Sequence, residues 1–225
     1  MRIIHLVSAL SLSAPAVAFA QPGTETPENP KAVDEQVAAP SNAFEISVAT
    51  GYSQGVGPVG GGLLHLEDLS GAGGLVEVDL GYRINPTFSV GGYGTFALHR
   101  SGDRIVDSTD VFGATAGIQA IAHVRPERSI DPWVSLGTGW EGMWLSPVNG
   151  KDTSLQGLQL ARLQLGVDYR ISKDAAIAPV IGGSLSLFVS QDSPMTVGYT
   201  EISGKKVNFT GFAGIAGRFD VGGSR

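Results

Sequence analysis

Residues 76–83 read Val-Glu-Val-Asp-Leu-Gly-Tyr-Arg, and residues 162–170 read Arg-Leu-Gln-Leu-Gly-Val-Asp-Tyr-Arg. In both, apolar side chains alternate with small or ionised ones. An extended chain points successive side chains to opposite faces, so each stretch is a strand with one greasy and one polar face. In the first, Val76, Val78, Leu80 and Tyr82 share one face while Glu77, Asp79, Gly81 and Arg83 share the other. A soluble sheet hides the greasy face and wets the charged one; a small barrel in a bilayer does the reverse. Which way round the faces go decides what the chain is.

Outward from these two stretches the same rhythm recurs in eight segments, 44–53, 74–83, 87–98, 110–124, 132–145, 157–171, 176–190 and 208–221. The links after the second, fourth and sixth segments are short and carry turn residues (Asn85-Pro86, Pro126 to Pro132, Ser172-Lys173-Asp174), while the other links are longer and richer in Gly, Ser and Asp. An even number of strands with short turns on one rim and long loops on the other is the pattern of an outer-membrane barrel. The expected fold class is therefore all-β, an eight-stranded antiparallel up-and-down transmembrane β-barrel over residues 43–222.

Charge and aromatic placement refine this expectation. Glu45, Glu77, Asp79, Arg83, Glu141, Arg162, Asp168, Arg170, Arg218 and Asp220 all fall on the register opposite the apolar set. An ion at the lipid midplane costs about 2–4 kcal/mol, so a clean apolar register suits lipid, though it equally suits a dry core. The aromatics separate the two orientations. Phe44, Tyr82, Phe88, Tyr169 and Phe219 sit at the periplasmic ends of apolar registers, and Tyr52, Phe112, Trp144 and Phe209 at the outer ends, which predicts two membrane-interface girdles. Eight strands enclose a space about wide enough to be filled by side chains. Glu77, Asp79, Arg83, Glu141, Arg162, Asp168, Arg170 and Arg218 are the predicted polar network of that lumen, with His99 and His123 near its ends. Gly91, Gly117, Gly137, Gly166, Gly182 and Gly214 fall on the same register and leave room for long neighbours.

The ends of the chain read differently. Residues 1–20 combine Arg2, an apolar stretch from Ile3 to Val17 and Ala18-Phe19-Ala20, the pattern of a cleaved secretory signal peptide. Residues 21–42 interleave Pro22, Pro27, Pro30 and Pro40 with Glu25, Glu28, Asp34 and Glu35, a Pro/Glu-rich composition that predicts a periplasmic linker. A net charge of −6 with no basic cluster argues against nucleic acid as a partner. With no Cys among 225 residues, disulfides, thiolate metal sites and a Cys nucleophile are excluded.

The stretches Leu80-Gly81-Tyr82-Arg83-Ile84, Gly166-Val167-Asp168-Tyr169-Arg170-Ile171 and Gly211-Phe212-Ala213-Gly214-Ile215-Ala216-Gly217-Arg218-Phe219 resemble small eight-stranded outer-membrane barrel proteins of the OmpA-transmembrane, OmpX and OmpW type. The resemblance covers residues 44–221 and departs from the family at the end, where Gly222 to Arg225 follow Phe219 and Val221. It implies a Gram-negative outer-membrane location, contact with outer-membrane lipid, insertion by the barrel-assembly machinery, a monomer, and a structural or loop-mediated interaction role. No enzymatic activity, cofactor or metal is expected. The alternative it implies is a narrow channel or lateral-exit carrier for small apolar solutes, for which Phe188, Val180 and Met143 supply an apolar upper lumen.

Other constellations are thin. His99 and Ser101 with Asp103, Asp107 and Asp110 are the best candidates for a lipid-modifying hydrolase, since a His oriented by a carboxylate can take a Ser proton. His65, Glu67 and Asp68 offer loose cation ligands, and Gly60 to Gly62 and Gly71 to Gly74 read as flexible outer loop.

Overall fold

The structure, a computed structural model, describes residues 38–62, 64–102, 104–105, 109–148, 150–194 and 198–224. The expected signal peptide and most of the expected linker lie outside these residues.

The alternating segments form long strands because their backbone groups find partners on both sides. These are β1 (Ala43–Val56), β2 (Ser70–Asn85), β3 (Phe88–Ser101), β4 (Thr109–His123), β5 (Ile130–Pro147), β6 (Thr153–Arg170), β7 (Ala175–Asp192) and β9 (Val207–Val221), with a two-residue β8 (Thr200–Glu201) and a four-residue helix α1 (Leu66–Leu69) in the outer loops. Every paired strand is antiparallel to its neighbour, and β9 pairs with both β7 and β1 while β6 pairs with β7, so the sheet closes on itself. Closure leaves no free edge, which is what lets a sheet stand in hydrocarbon. The expected eight-stranded up-and-down barrel is the observed one; β8 only extends the outer end of β7, through Ser190–Glu201 and Gln191–Thr200.

The exterior is apolar and the interior polar. Val78, Leu165 and Ile215 are 42%, 45% and 61% exposed, whereas Glu77, Arg162 and Arg218 are each 3% exposed. A continuous greasy exterior of this extent is incompatible with water and requires an apolar solvent. The dry-core alternative is thereby excluded.

Two loop expectations are corrected. Gly71 to Gly74 lie inside β2, where Gly73 pairs with His99. A side chain at Gly73 would collide with the Leu98 carbonyl and the His99 ring, so glycine permits the close approach that continues the ladder. The stretch around His65 folds into α1 because the Asp68 Oδ2 accepts the His65 N–H at 2.9 Å, closing one helical turn.

The two ends of the barrel chain meet at the rim of the short turns, where Ser41 and Ser224 form an isolated bridge. Ahead of β1, the Ala39 N–H donates to the Pro126 carbonyl at 2.8 Å. Pro126 lies in the β4–β5 turn, four strands round the closed barrel from β1, so residues 39–42 cross the mouth as a strap with Pro40 and Ala39 buried.

Candidate functional site

The barrel interior is the one large enclosed polar environment among the described residues, and it is stratified. At the strap end, most strands contribute a charged or polar group, while β7 contributes Ala176 and Ala178. Arg83 donates to Glu45 at 2.6 Å and Arg170 to Asp220 at 2.9 Å. Arg218 lies 3.2 Å from Asp168 and 3.6 Å from Glu45. Arg218 also approaches His123 Nε2 at 3.0 Å, while His123 Nδ1 lies 2.7 Å from Asp131. A guanidinium only donates, so Nε2 accepts and Nδ1–H donates to Asp131, which fixes the tautomer. Trp133 closes the layer by donating from Nε1 to Asp168 at 2.8 Å, with the Arg218 guanidinium 4.7 Å from its ring.

His123, Asp131 and Asp168 each bring a metal-competent atom within 4.8 Å of the others. Arg218 already donates toward two of the three, so a fixed guanidinium does the work of a metal cation there.

The middle layer is held by Arg162, which pairs with Glu77 and lies 4.3 Å from the Tyr93 ring centroid and 5.2 Å from that of Phe212. Gln164 also donates to Glu77, at 2.9 Å, and Tyr93 donates to Gln159. Gly117, Gly166 and Gly182 stand where a side chain would strike Tyr93, Trp133 and Phe212 respectively, so the lumen glycines accommodate aromatics more than arginines.

At the outer end Val59, Leu66, Val111, Met143, Leu145, Leu155, Phe188 and Ile202 pack into an apolar plug. Phe188 and Met143 belong to it as expected of an apolar upper lumen. Val180 does not, because it lies lower, beside Trp133 and Ile121. Between plug and middle layer remains a cavity of about 70 Å³, bordered by Ser53, Glu77, Glu141, Arg162, Ser184 and Thr210 among others.

Of the eight predicted network residues, Arg83, Asp168, Arg170 and Arg218 join the strap-end cluster, and Glu77 and Arg162 pair in the middle. Asp79 and Glu141 have no ion-pair partner among the described residues; Glu141 accepts a hydrogen bond from Ser186. Sequence reasoning missed Asp131 and the inward-facing Tyr93, Trp133 and Phe212. Their signal was parity, since each lies on the register of Glu77 or Arg162 once the strands are extended. Of the nine predicted interface aromatics, Phe44, Tyr52, Tyr82, Phe88, Tyr169, Phe209 and Phe219 are exposed on the exterior. Phe112 and Trp144 are half-buried there, packed on Phe96 and Trp140.

The hydrolase constellation does not assemble among the described residues. His99 Nδ1 donates to the Gly71 carbonyl at 3.1 Å and the Ser101 hydroxyl to the Thr109 carbonyl at 2.8 Å. Asp110 is on the opposite register, and Asp103 and Asp107 lie outside the described residues. The carboxylates of loop 1 are likewise occupied: Glu67 Oε2 accepts the Gly57 N–H at 2.8 Å, and Asp68 pairs with Arg104 at 3.3 Å. Hydrogen bonds from its own amide and from that of Gly57 hold the Glu67 carboxyl below its ordinary range.

Among solved structures, Neisserial surface protein A (NspA) superposes with a TM-score of 0.51 at 14% identity, over 78% of this chain and 96% of that one. The outer membrane protein OprG of Pseudomonas aeruginosa gives 0.50 at 12% identity, over 82% and 99%. The fold is that of a small outer-membrane barrel. At these identities the likeness is one of fold alone. No protein-family model matches the chain, and no curated protein matches it.

Proposed function

We propose that the chain is a Gram-negative outer-membrane barrel of structural or loop-mediated interaction role, whose lumen is closed by its own side chains. The observation that carries this reading is the succession of closures along the axis: strap, ion-pair layer, aromatic-braced middle and apolar plug, with a cavity of about 70 Å³ between the last two. Such a barrel presents its outer loops and conducts nothing. Planar-bilayer recording of the refolded full chain tests it: no current is expected, and reproducible single-channel steps would overturn the closed-lumen reading.

The same proposal covers the chain's ends and surroundings. Residues 1–20 are removed as a signal peptide, residues 21–42 link the barrel to the periplasmic side, the assembly machinery inserts residues 43–222, and the product is a monomer surrounded by lipid. The aromatics from Phe44 to Phe219 mark the two membrane interfaces. N-terminal sequencing of the mature protein is expected to begin at Gln21.

A second reading, a lateral-exit carrier of small apolar solutes, is favoured by one observation. The lumen is apolar at the end that faces outside water, where Met143, Leu155 and Phe188 are buried. Replacing Phe188 with Asp separates the readings, because a carrier loses uptake of a short alkane while a scaffold keeps its loop presentation. No enzymatic role is proposed, since the geometry of His99 and Ser101 serves backbone carbonyls.

A further inference from the structure

Burying a carboxylate without a counter-charge costs several kcal/mol, so each such group demands an account. In the middle of the lumen three carboxylates, Glu77, Asp79 and Glu141, lie near Arg162, which is committed to Glu77, while Asp79 also feels the charge of Arg218 from the strap-end layer. Glu141 has no cationic partner within ion-pair distance among the described residues. Glu141 is only 8% exposed, and its hydrogen-bond donor is the neutral hydroxyl of Ser186. Directly against it lies the cavity of about 70 Å³, which Glu77 also borders. A second observation comes from the opposite wall: the Ser53 hydroxyl, 3% exposed, borders the same cavity and has no hydrogen-bond partner.

We propose that this cavity is a binding site for a hard divalent cation held by oxygen, with Glu141 as the anchoring carboxylate and Ser53 as a neutral ligand across from it. The donor chemistry selects the class. Carboxylate and hydroxyl oxygens from Glu141, Glu77, Ser53, Ser184 and Thr210 surround the space, and His99, the imidazole in the lining, has its Nδ1 engaged by the Gly71 carbonyl. Oxygen-only sets favour calcium-like ions over softer metals. The volume admits an ion with a few waters, which complete the coordination and satisfy the unpartnered Arg162 Nη1. A cation there supplies the positive partner that Glu141 lacks. Leu66, pressed against Gly55 above the cavity, shields the site from the outside.

Thermal unfolding of the full chain, refolded in an uncharged maltoside detergent and stripped of metal, tests the site as Ca²⁺ is added at constant ionic strength. The expected result is a saturable rise in unfolding temperature. That rise disappears in Glu141→Gln, and its apparent Kd weakens at least about tenfold in Ser53→Ala. The readout is the calcium-dependent increment, so any change that Glu141→Gln makes to the metal-free protein does not enter. No saturable rise in the native chain overturns the proposal. An equal rise in Glu141→Gln overturns it too, assigning the ion to the acidic outer loops. If Glu141→Gln fails to fold, an unchanged Kd in Ser53→Ala is decisive against the site.

Discussion

Ile215 sits on the exterior of β9, 61% exposed, between the outward aromatics Phe209 and Phe219. The ten steps between those rings span roughly 33 Å of strand, which a tilt near 40° reduces to about 25 Å along the membrane normal. Ile215 is four steps from Phe219, about 10 Å up, and therefore within about 3 Å of the midplane. Ile215→Lys places an ammonium there and is expected to destabilise the folded barrel in lipid by about 2–4 kcal/mol. The same change at Val221, on the same face beyond Phe219, is expected to cost about 0–1 kcal/mol, because the side chain reaches headgroups and water. Reversible guanidinium unfolding in phosphatidylcholine vesicles, followed by tryptophan emission, measures both. On the surface of a soluble protein an exposed Ile→Lys is close to neutral at either position. A difference between the two variants below about 0.5 kcal/mol refutes the placement of this face in hydrocarbon.

Three further outcomes follow from the interior and the loops. Arg218→Met removes the partner shared by Glu45, Asp168 and His123 and is expected to cost about 3–5 kcal/mol in the same unfolding assay; adding Asp168→Asn is expected to restore at least about 1 kcal/mol, because it neutralises the carboxylate whose cation was Arg218 while its oxygen still accepts from Trp133. Gly166→Val drives a side chain into the Trp133 ring, which its bond to Asp168 holds in place, and is expected to cost about 1–3 kcal/mol, whereas a barrel with a roomy lumen would tolerate it. Because the folded-state pKa of Glu67 is lowered by amide hydrogen bonds, its contribution to the β1–β2 loop is complete above the ordinary carboxylate range and is lost as pH falls through the lowered value; the Gly57 amide should lose protection, measured against its intrinsic exchange rate, across that fall in the native chain and show no such step in Glu67→Gln.

The strand set and the facing of the charges on β2 were legible in the sequence because a period of two is unforgiving. A one-residue slip would carry Glu77, Asp79 and Arg83 together onto the lipid side, so a single register satisfies all of them. Pairing inside the lumen was not legible. Glu77 meets Arg162 across 85 residues and Arg218 meets His123 across 95, and which inward groups meet depends on stagger and diameter, which no local pattern encodes. Asp131 was hidden for another reason. Pro132 reads as the end of a turn, yet its carbonyl accepts the Val124 N–H at 2.9 Å, so the strand starts ahead of it and brings Asp131 to the inward register. Gly71 to Gly74 were misread as loop because clustered glycines signal turns, while the close approach of Gly73 to Leu98 and His99 continues the β2–β3 ladder.

The two closures of the lumen differ in origin, and that difference bears on how the protein works. The ion-pair layer is built from side chains of strands alone: Glu45 on β1, Arg83 on β2, His123 on β4, Asp131 on β5, Asp168 and Arg170 on β6, and Arg218 and Asp220 on β9. Opening it means separating at least three buried cations from their carboxylates, each at a cost comparable to much of a domain's stability. The outer plug instead takes Val59, Leu66 and Ile202 from loops, pinned chiefly by contacts such as Glu67 with Gly57 and the Gly61 N–H with the Ser203 carbonyl at 2.9 Å. Loops of this kind open at small free energies while strand networks do not. On the proposed reading a molecule that reaches the lumen enters past Leu66 and stops at the ion-pair layer.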